Sequence, residues 1–356
     1  MKKNIVHFIY NLGRGGAEVM LVKVLKELKE YNNIVVTMTP QNHFGSELDC
    51  DQLICLNVKS VLHFPAAVIR FKKIIRKNKV DMVHTHLFWP MVIARLSTPA
   101  RIPLVSTIHA FVESSIEYRR SYVRILDRLT YHVRKNIIIT VAKGASKEYF
   151  DFLNLRPYKA FSLYTFVDPR QFNQGSSLPF LRTNPNVRLI CVGALRIQKN
   201  HKFLLEAFKK LADENFELDI YGEGPLEHEL QQYIDENYLK VKLKGEVSNI
   251  ENLINQYDLF VMSSTFEGFS LSVLEAMAME MPLLLSDIES FREQCADTAT
   301  YFSLIDVDDF IDKVKSLVAD KTKLVQSGKL AKARVLNHFT FDMHMDGLRK
   351  IYRQVI

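Results

Sequence analysis

The sequence predicts an α/β protein made of two open parallel-sheet domains. Three observations predict it. The chain has 356 residues, too many for one ordinary core and suited to two. Short apolar runs alternate with amphipathic helical stretches through both halves, as strands joined by helical crossovers do. Between the two series lies a stretch rich in Gln, Asn, Ser, Gly and Pro, residues 171–186, which reads as a linker.

In the first half, residues 5–10, 34–38, 82–83, 104–108 and 137–141 read as strands, and 17–29 and 65–77 as helices. In the second half the strands are 187–192, 218–221, 241–243, 259–262 and 283–286. Residues 341–356 look helical. The expected domains are therefore 1–170 and 187–340, with 341–356 as a terminal helix. No apolar run approaches the roughly 20 residues that span a bilayer. The apolar run after Lys2 and Lys3 is too short for a signal peptide and reads as the first strand. Cys50, Cys55, Cys191 and Cys295 show neither metal spacing nor a disulfide framework, which fits a reducing, cytoplasmic compartment.

Charge is uneven. Residues 1–178 carry 26 Lys and Arg against 13 Asp and Glu, a net of +13; residues 179–356 carry 21 against 27, a net of −6. No nucleic-acid motif accompanies the basic half, so a nucleic-acid partner is not expected. An anionic membrane surface or a phosphate-bearing acceptor explains the charge at least as well. Two helical stretches concentrate it. One holds Arg70, Lys72 and Lys73 around Phe71, Ile74 and Ile75. The other, 117–135, interleaves Arg119, Arg120, Arg124 and Arg128 with Tyr118, Tyr122, Leu126 and Leu129. A solvated basic face on an ordinary core helix is the competing reading.

The densest chemistry lies at Glu267-Gly-Phe-Ser-Leu-Ser-Val-Leu-Glu275, which follows the apolar strand 259–262 and Ser263-Ser264. Strand, tight turn and helix leave the amides of Gly268, Phe269, Ser270 and Leu271 at a helix start, an anion site aided by the helix dipole. Helical side chains lean toward the N-terminus, so Glu275 can reach hydroxyls near a phosphate held there. Glu267 stands at the mouth of the turn. Such a cradle, flanked by two hydroxyl acceptors, suits a nucleotide-sugar.

This stretch resembles the E-x7-E element of the retaining glycosyltransferases of family 4, which have two facing Rossmann-like domains (the GT-B architecture) and a last helix that crosses back to the first domain. The resemblance extends to Glu275-Ala-Met-Ala278 with Pro282, Tyr221-Gly-Glu-Gly-Pro225, Gly193 to Lys199-Asn200, and Arg14-Gly-Gly-Ala-Glu18. It implies that Lys199 binds the donor diphosphate, Glu275 the ribose and Glu267 the transferred sugar. It also implies that His109 contacts that sugar, that Gly15 and Gly16 face the donor phosphates, that Gly222 brings backbone close to the nucleotide, and that Gly245 and Val247 line its base. The family's arginine after the first glycine is Ala194 here, and Arg196 is a candidate replacement. Glu280 stands where the family has a helix-capping glycine.

The resemblance implies no cofactor and no metal: the substrates are a nucleotide-diphosphate-sugar donor and a glycan or lipid-linked acceptor, as in bacterial surface polysaccharide synthesis. His84 and His86 form an H-x-H pair without an acidic or thiol partner, and read as cleft or packing residues. An epimerase or phosphorylase on the same architecture fits the glutamate pair less well. A non-catalytic nucleotide-sugar or glycan-binding subunit is the rival of another class, raised by Ala194 and Glu280.

Overall fold

The structure is a computed structural model. It describes every residue except 1, 14, 110, 113, 114, 116, 173–185, 248, 249, 251 and 252. The chain forms two compact units, Met1–Thr165 with His344–Ile356, and Phe166–Met343. Nearly all of the expected linker 171–186 lies outside the described residues, as does Arg14.

The first unit runs β1 (Asn4–Ile9), α1 (Gly16–Glu27), β2 (Asn32–Thr37), β3 (Gln52–Cys55), α2 (Phe64–Lys77), β4 (Met82–His86), α3 (Phe88–Ser97), β5 (Leu104–Ile108), α4 (Ser121–Val133), β6 (Ile137–Thr140), α5 (Lys143–Phe152) and β7 (Lys159–Ser162). Among the described residues its seven strands are all parallel, in the order β3-β2-β1-β4-β5-β6-β7. Strand order reverses between β1 and β4, so their carboxyl ends open a crevice where such sheets bind ligands. The core between sheet and helices is apolar; Phe8 of β1 stacks on Phe71 of α2 with ring centroids 4.5 Å apart.

The second unit runs β8 (Val187–Val192), α6 (His201–Lys210), β9 (Phe216–Tyr221), α7 (Glu227–Glu236), β10 (Val241–Leu243), β11 (Leu259–Met262), α8 (Leu271–Ala278), β12 (Leu283–Ser286), α9 (Glu289–Cys295), β13 (Thr300–Phe302), α10 (Val307–Ala319) and α11 (Lys321–His338). Its parallel sheet has the order β10-β9-β8-β11-β12-β13, with the reversal between β8 and β11. Phe208, Leu218, Val261, Phe302 and Phe310 share one buried cluster.

The final helix α12 (Phe341–Arg353) returns to the first unit. Arg349 reaches Glu30 Oε1 at 2.9 Å and the Glu27 carbonyl at 2.8 Å, and the Tyr352 hydroxyl lies 2.6 Å from His84 Nδ1. A Cβ on Gly347 would meet the end of the Leu163 side chain, which would have to turn aside.

Three strands were not legible in the sequence: β3, β7 and β13. All are edge strands. The side chains of β3 and β7 are half-buried or exposed, and β13 has only three residues. An edge strand does not need the continuous apolar run that marks a central parallel strand.

Candidate active site

In the second unit the loops beyond β8, β9, β10 and β11 are laced by backbone. The Gly193 amide donates to the Tyr221 carbonyl at 2.8 Å, Leu195 to Glu223 at 3.0 Å, and Gly222 to Gly245 at 2.7 Å. Gly222 has φ +143°, and a Cβ there would overlap the Gly193 carbonyl. Only glycine permits this approach. The β8 loop is tied in turn to the β11 loop. The Thr265 amide donates to the Gln198 carbonyl at 2.8 Å, and the Ser263 hydroxyl to the carbonyls of Lys199 and Asn200 at 3.0 and 2.9 Å.

This lacing sets Lys199 against Glu267 although 68 residues separate them: Nζ lies 2.5 Å from Oε1. The Ser264 hydroxyl donates to the same oxygen at 2.7 Å, and Ser264 is pinned through its carbonyl by the Ser286 hydroxyl at 2.6 Å. Lys199 and Glu267 keep only 12% and 10% of their side-chain surface exposed, so little water screens them. Glu275 lies one turn into α8, half-buried. Gly245 and Val247 are half-buried beyond β10, and Arg196 is exposed beyond β8.

One expected donor is not open. The helix begins at Leu271, with Ser270 as its cap, and the Ser270 amide donates to Gln294 Oε1 at 3.0 Å while Gln294 Nε2 returns a bond to the Ser270 carbonyl at 2.8 Å. A buried glutamine thus clamps the residue expected to offer its amide to an anion. Phe269 is buried, with its ring 5.0 Å from that of Phe339. Gly268 and Leu271 remain as the candidate anion-binding amides.

In the first unit, Gly15 caps α1 and Gly16 opens it, at the carboxyl end of β1. The Glu18 carboxylate folds back over Gly15, where a Cβ would collide with it. His109 follows β5, its Nε2 3.2 Å from His86 Nδ1. His84 and His86 are buried, as expected of packing residues, and His7 of β1, in register with His84, joins them. His84 is bonded on both ring nitrogens, to Tyr352 and to Thr107 at 2.7 Å. Among the described residues, His7 Nδ1 and His86 Nε2 are buried without a hydrogen-bond partner. These rings, with His109, His344 and Tyr352, line a cavity of about 30 Å³, roomy enough for water. Burial pushes His7, His109 and His344 down to about 4, and His84 and His86 well below the ordinary range; His344 adds repulsion at His109.

Nitrogens of His7, His84 and His86 lie within 4.8 Å of one another. A divalent cation there would have to break a bond of His84, and the three ligands bring no anionic charge to balance it in a buried site. The residues fit neutral packing better than a metal.

The basic residues are placed separately, in the first unit. Arg70, Lys72 and Lys73 are exposed on α2. Arg119, Arg120 and Arg128 are exposed at or before α4, and Arg124 is half-buried. Of the interleaved apolar residues, Tyr118 is buried and Leu126 half-buried, so they do not share the basic surface. Glu280 has φ +60°, the cap conformation that favours glycine, and its carboxylate pairs with Lys332 Nζ at 2.9 Å. That cation answers the unfavourable charge at the helix end.

Ser264, Gln294 and His7 escaped the sequence reading. Ser264 was visible as a small polar residue after a strand. Nothing near Ser270 in sequence pointed to Gln294, and His7 needed the β1–β4 register.

Comparison with known proteins bears on the family and the fold. The family model described as Glycosyltransferase Family 4 matches residues 14–171, and that described as Glycosyl transferases group 1 matches residues 186–320. The chain is 27% identical over 323 residues, covering 85% of it and 82% of the relative, to a UDP-Gal:alpha-D-GlcNAc-diphosphoundecaprenol alpha-1,3-galactosyltransferase of Escherichia coli. It is 25% identical over 343 residues, covering 92% and 91%, to an N-acetylgalactosamine-N,N'-diacetylbacillosaminyl-diphospho-undecaprenol 4-alpha-N-acetylgalactosaminyltransferase of Campylobacter jejuni. Among solved structures, Anabaena HepE in complex with UDP and glucose superposes with a TM-score of 0.85 at 17% identity, covering 99% of this chain and 100% of that one. The sucrose-phosphate synthase of Thermosynechococcus elongatus superposes at 0.84 with 15% identity, covering 99% of both. The fold is GT-B, and the chain belongs to the group 1 glycosyltransferases of family 4.

Proposed function

We propose that this chain is a retaining, metal-independent transferase that moves a sugar from a nucleotide-diphosphate donor to a hydroxyl of a lipid-linked glycan at the cytoplasmic face of a membrane, in polysaccharide assembly. The observation that carries the reading is the Lys199–Glu267 pair between the β8 and β11 loops, at the strand reversal, with Glu275 one turn into α8. In this reading Lys199, with Arg196 as a second cation, takes the diphosphate, aided by the amides of Gly268 and Leu271. Glu275 accepts from the ribose hydroxyls. Glu267, released from Lys199, faces the transferred sugar, and His109 serves the same sugar.

The acceptor oxygen bonds to the anomeric carbon as the bond from that carbon to the diphosphate oxygen breaks. Attack comes from the leaving-group face, and the departing phosphate oxygen takes the acceptor proton. Charge grows on the diphosphate, so fixed cations there are the principal electrostatic catalysts. The names of the two bacterial relatives support an undecaprenol-linked acceptor. No helix among the described residues is long and apolar enough to cross a membrane, so contact with a lipid-linked acceptor would be peripheral.

The test is a panel of nucleotide-sugars with a polyprenyl-diphosphate-sugar acceptor, in the presence of a chelator, with the product anomer read by NMR. A product anomer matching that of the donor, formed at full rate, is expected. Inverted product, or turnover that requires added divalent metal, would overturn the mechanism. Binding of nucleotide without transfer, and without donor hydrolysis when acceptor is absent, would favour the non-catalytic subunit that Ala194 suggests.

A further inference from the structure

Helix α4 buries polar anchors beside core residues on its inner face and carries a row of apolar side chains on its outer face. Its buried face carries Val123, Asp127, Thr130 and Tyr131. Asp127 accepts from Arg95 Nη1 at 2.5 Å, from the Tyr149 hydroxyl at 2.9 Å and from the Tyr118 hydroxyl at 2.5 Å. Arg95 also holds Asn136 Oδ1 at 2.9 Å, and the Arg95–Asp127 pair is wholly buried. Rolling the helix would strip a buried charge of its partners, so the network fixes which face looks out.

That outward face holds Tyr122, Ile125, Leu129 and Val133, exposed to 51, 58, 59 and 70%. Their spacing places them in one stripe along the helix. Single exposed apolar residues are ordinary; four aligned ones mark a contact surface. Arg128 and His132 border the stripe. Arg119 and Arg120 precede it, and Arg134 and Lys135 follow. Asp127 is the sole acid in residues 119–135, and it is buried. Helix α3, which supplies Arg95, packs against both α4 and α2, and α2 exposes Arg70, Lys72, Lys73 and Ile69.

We propose that α4 is the docking element of this chain on an anionic bilayer. Tyr122, Ile125, Leu129 and Val133 enter the boundary between headgroups and acyl chains, and Arg119, Arg120, Arg124 and Arg128 bind lipid phosphates. An apolar stripe edged by arginines is the design of a helix that lies in a membrane interface, and guanidinium forks suit phosphate oxygens. A second copy of this chain is a poorer occupant, because α4 against α4 would bring like charges together. The purpose of docking rests on the lipid-linked acceptor proposed above; the docking itself is measured without acceptor.

The experiment is vesicle flotation of the full chain, with phosphatidylcholine alone and with equimolar phosphatidylcholine and phosphatidylglycerol. The expected result is binding to the anionic vesicles, weakened but not abolished by salt, since the apolar share is not screened. Ile125→Glu with Leu129→Glu should lower partitioning at least about tenfold, as should Arg119, Arg120, Arg124 and Arg128 changed together to Gln. Both sets lie on or near the surface, and nucleotide binding in solution, unchanged, reports that the variants are folded. Wild-type protein that ignores anionic vesicles, or binds them as well after the paired glutamate substitution, overturns the proposal. So does a wild-type dimer that the paired substitution dissolves, which would make the stripe a self-association surface. Docking lost with donor turnover kept on a soluble acceptor removes only the membrane reading. Docking kept with no nucleotide binding removes only the transferase reading.

Discussion

Lys199 and Glu267 neutralise each other, Nζ to Oε1 at 2.5 Å, within a site that the reading above gives to a diphosphate. A diphosphate has to draw the lysine away from the glutamate. Removing the glutamate's charge should therefore leave Lys199 freer for phosphate while depriving the reaction of Glu267. We expect Glu267→Gln to bind free nucleoside diphosphate more tightly and yet turn over at least about a hundredfold more slowly, within the range for lost transition-state electrostatics. Calorimetry with the diphosphate alongside initial rates gives both numbers. Weaker diphosphate binding in a folded variant would mean that the pair supports the site structurally.

The cation itself is tested by Lys199→Ala, expected to lower turnover by about a hundredfold or more. Arg196 is exposed and lies three residues before Lys199. Arg196→Ala should slow turnover less, by about tenfold, if it replaces the arginine missing at Ala194, in keeping with a more solvated charge. Full activity would show that the diphosphate is held without it.

Glu275 is assigned to the ribose. Glu275→Ala should weaken nucleoside diphosphate binding by about 1.5–3 kcal/mol, the range for hydrogen bonds to a charged group. The effect should disappear when inorganic pyrophosphate replaces the nucleotide. Unchanged nucleotide affinity removes Glu275 from the donor site.

The buried histidines make stability depend on pH. Their folded values sit below the unfolded value of about 6.5, with His7 and His344 at about 4. Between those limits the unfolded chain binds protons that the folded one refuses. Stability is thus complete above about pH 6.5 and falls as pH drops toward 4. Urea unfolding at pH 7 and pH 5 should differ by at least about 2 kcal/mol, and His7→Gln should lessen the difference. A flat profile across that interval would show that the cluster is not held neutral.

Gly328 of α11 meets the Glu280 carbonyl so closely that a Cβ would overlap it. Gly328→Ala should destabilise the second unit by about 1–3 kcal/mol, as overpacking does, despite the better helix propensity of alanine. Thermal unfolding measures it; a more stable variant would show that α11 can shift without loss.

The sequence alone determined the two parallel sheets, because central strands buried on both faces are rich in apolar residues and so announce themselves. It also determined the strand–turn–helix carrying Glu267 and Glu275, because turn and helix are set by neighbours in the chain. Tertiary structure decided the rest. Edge strands β3 and β7 carry little apolar signal, since their side chains are half-buried or exposed, and β13 is only three residues long. The pairing of Lys199 with Glu267, the clamp of Gln294 on Ser270, and the joining of His7 to His84 and His86 all depend on loops and strands that meet only in the folded sheet. The outward turn of Leu129 and the inward turn of Asp127 were not readable from periodicity, which presumes that apolar side chains face the core. In α4 Val123 and Tyr131 do face the core, but a buried ion pair with Arg95, on another helix, carries Asp127 inward beside them and decides which face meets the surroundings.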